Sequence, residues 1–212
     1  MRHMLRFFLG MPLLVIAALA LPSSSIAQQQ GGQTEVPKPK PPKKKQPPAG
    51  AAGAVGAAAP TVGGAQPTLL GTYGDWGAYT ASPNGKKICF ALAKPVKMET
   101  VPANRPRDAA YLFISSRPTE KVKDEVSVII GYGFKLNSDA TIETGGANYA
   151  MYTQNDGAWI KNAAEESKLI DAMRKGNDVV VKGVSARGTA TSDTYSLKGL
   201  AQALDKVTEE CR

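Results

Sequence analysis

Two cysteines, Cys89 and Cys211, stand in a chain of 212 residues, and the second is the penultimate residue. An even pair in a chain exported from the reducing cytoplasm is read as one disulfide. Joining these two closes a loop of about 120 residues, so every element between them must fold inside a single covalent closure. Two free thiols, or a bond between chains, are the alternative uses of the same residues.

The compartment is read from the amino end. Arg2 and Arg6 precede an apolar run from Phe7 to Leu21, and Ser25-Ile26-Ala27 has the small-x-small pattern of a cleavage site. Residues 1–27 are therefore expected to be a secretory signal peptide cut after Ala27. The run is shorter than the roughly 20 residues of a membrane span, and Gly10 and Pro12 interrupt it. The mature protein is expected in the periplasm, or secreted and surface-associated, in a Gram-negative bacterium.

Residues 28–67 are expected to form a disordered linker, KPKPPKKKQPP followed by an Ala/Gly run, with almost no large apolar side chain to bury. Most of the charge sits at this end. Residues 1–67 hold seven cations against Glu35 alone, +6 of the formal +8, whereas the remaining 19 cations face 17 anions and leave +2. A nearly balanced domain argues against a nucleic-acid partner. The tail reads first as a solvated spacer; its functional reading is that Lys43, Lys44 and Lys45 touch an anionic envelope or host surface, with only peripheral membrane contact.

The single histidine is His3, inside the expected signal peptide. A mature chain without histidine has no Ser-His-Asp or Cys-His nucleophile system and, with two cysteines, none of the usual zinc sets. No cofactor, metal or catalytic residue is expected. Carboxylate, lysine or tyrosine chemistry stays open, without a motif in its favour.

Residues 68–212 read as one mainly β domain, an antiparallel, sandwich-like arrangement with two short α-helices. Pro83-Asn84-Gly85 and Gln154-Asn155-Asp156-Gly157 each lie between strand-like runs and predict hairpins, because Asn and Gly tolerate positive φ. Residues 110–115 and 125–131, rich in β-branched and aromatic side chains, predict buried strands. Residues 94–108, with Pro95, Pro102 and Pro106, read as a loop. Asn162 predicts the cap of a short helix that carries Leu169, Ile170 and Met173 on one face and ends at Gly176. Trp76 is assigned to the core.

The last stretch, 178–212, predicts a buried strand at Val179–Val181, an edge strand from Thr189 to Tyr195, and an amphipathic helix starting at Ser196. Within it, Gly183-Val184-Ser185-Ala186-Arg187-Gly188 resembles the nucleophile elbow G-x-S-x-G only superficially. Arg187 occupies the second glycine position, and the strand-turn-helix setting and the histidine are missing.

Several ordered segments resemble the invasion-associated locus B family of exported proteobacterial proteins: GDW at Gly74–Trp76, ICFAL around Cys89, SSRPTEKVKDEVSVIIGYGF from Ser115, AMRKG from Ala172 and VKGVSARGTATSDTYSLKGLAQAL from Val181. The resemblance spans roughly Tyr73 to Cys211. Many relatives carry a further cysteine where this chain has Gly77–Ser82, and a proline where it has Gly133, so a second disulfide has no counterpart here. The resemblance implies a β-rich periplasmic or surface-associated domain, linked in some pathogens to host-cell entry, with no catalytic residues to carry over. The expected function is non-enzymatic binding of a protein or of an envelope or host surface, with Arg117 and Arg187 as candidate contacts. The alternative is a carboxylate-dependent hydrolase of envelope polysaccharide, which needs two acids about 5–10 Å apart across a cleft.

Overall fold

Runs of β-branched and aromatic residues between turn residues become eleven strands: β1 (Thr68–Tyr73), β2 (Trp76–Ala81), β3 (Ile88–Ala93), β4 (Lys97–Val101), β5 (Tyr111–Arg117), β6 (Val122–Ile129), β7 (Ala140–Thr144), β8 (Ala147–Gln154), β9 (Gly157–Ile160), β10 (Asp178–Val184) and β11 (Ala190–Ser196). Two helices join them, α1 (Glu166–Lys175) and α2 (Leu200–Glu210). This computed structural model describes residues 59–212, so Ala27 and the Lys43–Lys45 run lie outside the described residues.

The strands hydrogen-bond into one continuous sheet in the order β1-β2-β3-β5-β6-β9-β8-β7-β10-β11-β4, with every pairing antiparallel. The mainly β, two-helix domain expected from the sequence is the one observed. Period-two alternation gives the sheet an inner face that includes Trp76, Cys89, Leu112, Ile114, Val128, Met151, Ile142 and Val181. The buried stripes of α1 (Leu169, Ile170, Met173) and α2 (Leu200, Ala203, Leu204, Val207) join the same core cluster. Helix α2 packs on β1, β2, β3 and β5, and α1 on β6 and β7.

The sheet is rolled, because residues from strands separated by seven others meet. The Trp76 indole donates to the Ser196 carbonyl at 2.8 Å, joining β2 to the end of β11. The Asp75 N–H donates to the Lys198 carbonyl at 3.0 Å. The backbones approach so closely that a Cβ on Gly199, whose φ is +91°, would lie 1.9 Å from the Tyr73 carbonyl oxygen. Only glycine fits such a contact in the left-handed region. Cys89 of β3 and Cys211, just beyond α2, are bonded with their Cα atoms 5.9 Å apart, fixing the last helix over the first strands.

Four expectations change. The proline-flanked stretch read as a loop contains β4, which pairs with β11 through Thr191↔Thr100 and its neighbours. As a consequence β11 is not an edge strand, and β4 takes that place with Met98 and Val101 exposed. The final helix starts at Leu200; Ser196 closes β11 instead, because Gly199 turns the chain between strand and helix. The end of the expected spacer is also seated on the domain: Ala59 is buried, and Val62 and Ala65 pack beside it against Phe90 and Leu92 on the sheet's outer face.

Replacing Cys89 by alanine should lower unfolding stability by about 3–5 kcal/mol, read from denaturant midpoints at constant slope. Gly199→Ala should cost more than about 2 kcal/mol without touching the disulfide.

Candidate functional site

The outer face of the sheet carries aromatic side chains from strands that are distant in sequence. Cross-strand register places Leu92, Phe113, Ser127, Trp159 and Tyr152 in one row across β3, β5, β6, β9 and β8. Phe90 and Tyr79 lie one step along the same face, paired with each other across β3 and β2. The rings fall into two groups, separated by Ser127. Tyr152 stacks on Trp159 with centroids 5.5 Å apart, Phe113 lies 5.7 Å from Phe90, and Phe90 stacks on Tyr79 at 5.4 Å. Tyr111 flanks Phe113 at 6.2 Å and has the Lys94 ammonium 5.6 Å from its ring centre.

Glycines set the pose of two of these rings. A Cβ on Gly157 would lie 2.4 Å from the Trp159 ring, and one on Gly77 would lie 2.5 Å from the Tyr79 ring. Each ring therefore lies over a residue of its own strand that has no side chain. The β2–β3 half of the row is covered by the 59–65 segment. Phe113 and Tyr111 of β5 pack at the edge of that covered cluster, whereas at the β8 end of the row Tyr152 is 45% exposed. From Phe113 to Tyr152 is three strand-to-strand steps, about 14 Å.

A second feature lies where three connections converge, those of β4–β5, β6–β7 and β10–β11. A groove of about 830 Å³ opens there between Arg105, Arg107, Tyr132, Ser185, Arg187 and Thr189, among others. Arg107 is committed to structure. Its side chain is 7% exposed and pairs with that of Asp193, which is 0% exposed, while Nη1 donates to the Ile130 carbonyl at 3.2 Å. The Arg107 guanidinium also lies 5.8 Å from the centre of the Tyr132 ring, and the Tyr132 hydroxyl bonds Thr191 at 2.6 Å. Burial pushes the Asp193 carboxyl above its ordinary value, opposed by Arg107. Asp193 Oδ2 and the Tyr195 hydroxyl are buried without a hydrogen-bond partner, so the carboxylate depends on one arginine for its compensation.

A shallower depression of about 380 Å³ on the outer face of β4, β11 and β10 has Glu99 and Asp139 in its lining. Both acids are engaged, Glu99 by Lys97 at 2.9 Å and Asp139 by Lys161 at 2.6 Å. Among the described residues, no group of three or more His, Cys, Asp or Glu side chains is placed to hold a metal ion.

Cys89 and Cys211 are joined to each other, and Trp76 is fully buried in the core. Arg117 is a structural partner, bridging Glu125 through two bonds of 2.9 and 2.8 Å and Glu120 through one of 2.8 Å. Those bonds, Glu125 first, raise its pKa further. Arg187 stands exposed at the groove. Ser185 sits in the β10–β11 turn, where its hydroxyl accepts from the Thr189 N–H at 3.1 Å, a hairpin and not a strand-to-helix elbow. Sequence reasoning did not single out Trp159, Tyr152, Arg105 or Arg107. The available signal was a glycine two residues before an aromatic on a strand, at Gly157/Trp159 and Gly77/Tyr79.

The family model described as Invasion associated locus B (IalB) protein matches residues 76–208, from the first residue of β2 into α2. No curated protein and no solved structure matches the chain.

Removing one partner of the buried pair should be costly. Arg107→Ala or Asp193→Ala should each lose about 3–5 kcal/mol at neutral pH, and the double variant less than their sum. The sign with pH follows from the raised carboxyl. Its neutral form is favoured in the fold, so stability from this residue is full at acid pH and falls as pH rises through the folded value. Without Arg107 that value rises further, so the Arg107→Ala penalty should shrink when unfolding is measured near pH 4 rather than pH 7.

Proposed function

The chain belongs to the invasion-associated locus B family, and from that membership together with the outer face of its sheet we propose that it is an exported, non-enzymatic protein that binds polysaccharide of the cell envelope or of a host surface. The observation that carries this reading is the aromatic row. Pyranose rings present a face of C–H bonds, and the negative faces of indole and phenol rings attract them. Half-buried Trp159 lies over Gly157 and stacks with the exposed Tyr152, with Phe113 in the same row and the small Ser127 between. Rigid strands hold the spacing, so little side-chain entropy is lost on contact.

Export in this reading rests on the signal-like amino end, which supports a location in the periplasm or at the cell surface. Non-enzymatic action is supported by the state of the acids nearest a cavity. Glu99 and Asp139 line the smaller depression and are each held in an ion pair with a lysine, and the larger groove has a single carboxylate, Asp108, in its lining. The Lys43–Lys45 run adds electrostatic attraction to anionic surfaces, weakened by salt.

Co-sedimentation with purified peptidoglycan and with lipopolysaccharide tests the proposal. Trp159→Ala and Tyr152→Ala should each weaken binding by about tenfold, in the range of a contact ring at an interface hot spot. Both side chains are on the outer face, so the thermal midpoint should move little. The paired variant Glu99→Gln, Asp139→Asn should bind like the parent. Undiminished binding by Trp159→Ala would contradict the proposal.

A further inference from the structure

The groove at the β4–β5, β6–β7 and β10–β11 connections is a second binding site, and we infer that it takes a sugar unit carrying an oxyanion, a carboxylate or a phosphate. The first ground is how the arginines are used. Of the six among the described residues, Arg107, Arg117 and Arg174 pair with carboxylates. Arg105 and Arg187 have no ion-pair partner among the described residues, and both line this groove.

They come from different walls. Arg105 is on the β4–β5 connection and Arg187 on the β10–β11 turn, positions 82 residues apart in the chain (187 minus 105). Two unpaired guanidiniums facing one groove present forked donors that suit carboxylate and phosphate, and arginine loses less hydration than lysine in that contact.

The second ground is what lies between them. Tyr132 contributes a ring whose hydroxyl is already bonded to Thr191 and whose neighbour Phe134 meets it edge-on at 5.4 Å, so the ring is held in place. Ser185 and Thr189 supply hydroxyls at the β10–β11 turn. Asp108 also lines the groove, so the two unpaired guanidiniums leave one cation in excess over that carboxylate; an aromatic wall, hydroxyls and this cationic excess match a sugar with an acidic substituent better than a bare ion. A cavity of about 830 Å³ lies within the usual range for a small organic ligand. The Arg107–Asp193 pair fixes the wall that carries Arg105, holding the groove open without using either free arginine.

The site is independent of the aromatic row, and short ligands separate the two. Calorimetric titration of the mature full chain would use trigalacturonate, glucose 6-phosphate, maltotriose and inorganic phosphate at low and high salt. Trigalacturonate or glucose 6-phosphate should bind, more weakly as salt rises, and Arg105→Ala with Arg187→Ala should reduce affinity about tenfold or more, as loss of charge-assisted contacts requires. Trp159→Ala should leave that binding unchanged. Four results would overturn the inference: neither acidic sugar binding, equal binding by maltotriose, inorganic phosphate binding as tightly as the acidic sugars, or a double variant that binds like the parent. Loss of binding in Trp159→Ala would also overturn it, by assigning the ligand to the outer face.

Discussion

The architecture depends on one close approach, where the β1–β2 turn meets the connection from β11 to α2. An open sheet of eleven strands twists and must curl or split to bury its inner face. Here it rolls until Trp76 donates to Ser196 and Gly199 touches the Tyr73 carbonyl. That contact gives the Gly74-Asp75-Trp76 motif a physical meaning. Gly74 itself has a positive φ and would place a Cβ 2.4 Å from the Lys198 carbonyl oxygen, the Asp75 N–H bonds that same carbonyl, and the Trp76 side chain fills the core beneath. The Cys89–Cys211 bond then makes the closure covalent, one residue short of the end of the chain.

What could be read in advance follows from how local the cause is. The turns at Asn84-Gly85 and Asn155 were legible because positive φ selects those residues directly, and both asparagines have it. Helix α1 was legible from its buried stripe, the basic residues of its last turn, and Asn162, which accepts from the Ala164 N–H and caps the short 3-10 turn, Ala163–Glu165, that leads into the helix. Strand β4 was not, since its flanking prolines are loop signals and its stability comes from β11, some ninety residues later. The start of α2 was misplaced because Leu197 is buried like a helix residue, yet it precedes the turn at Gly199. The disulfide needed only two cysteines and a compartment, whereas Arg107–Asp193 needed the fold, since many charged residues compete as partners in the sequence.

The same distinction explains the candidate sites. The aromatic row is built from β5, β6, β9 and β8, whose order in the sheet is not their order in the chain, so no window of sequence contains it. Its local trace was the glycine under the Trp159 ring. The groove is likewise assembled from three connections, and of its residues only Arg187, as a contact, and Ser185, as a rejected nucleophile, had been singled out. Both sites are placed on a closed frame whose own polar commitments, Arg107 with Asp193 and Arg117 with Glu125, are internal. The side chains left unpaired at the surface are therefore those with the most to gain from a ligand.

The central functional claim is that Trp159 meets saccharide, and the chain allows that to be seen without labels. It has two tryptophans, and Trp76 is fully buried, so collisional quenching by acrylamide reports Trp159. With soluble peptidoglycan fragments at saturating concentration, the account predicts that Trp159 becomes shielded and its quenching constant falls. Quenching that stays unchanged while the same sample is demonstrably bound would contradict it.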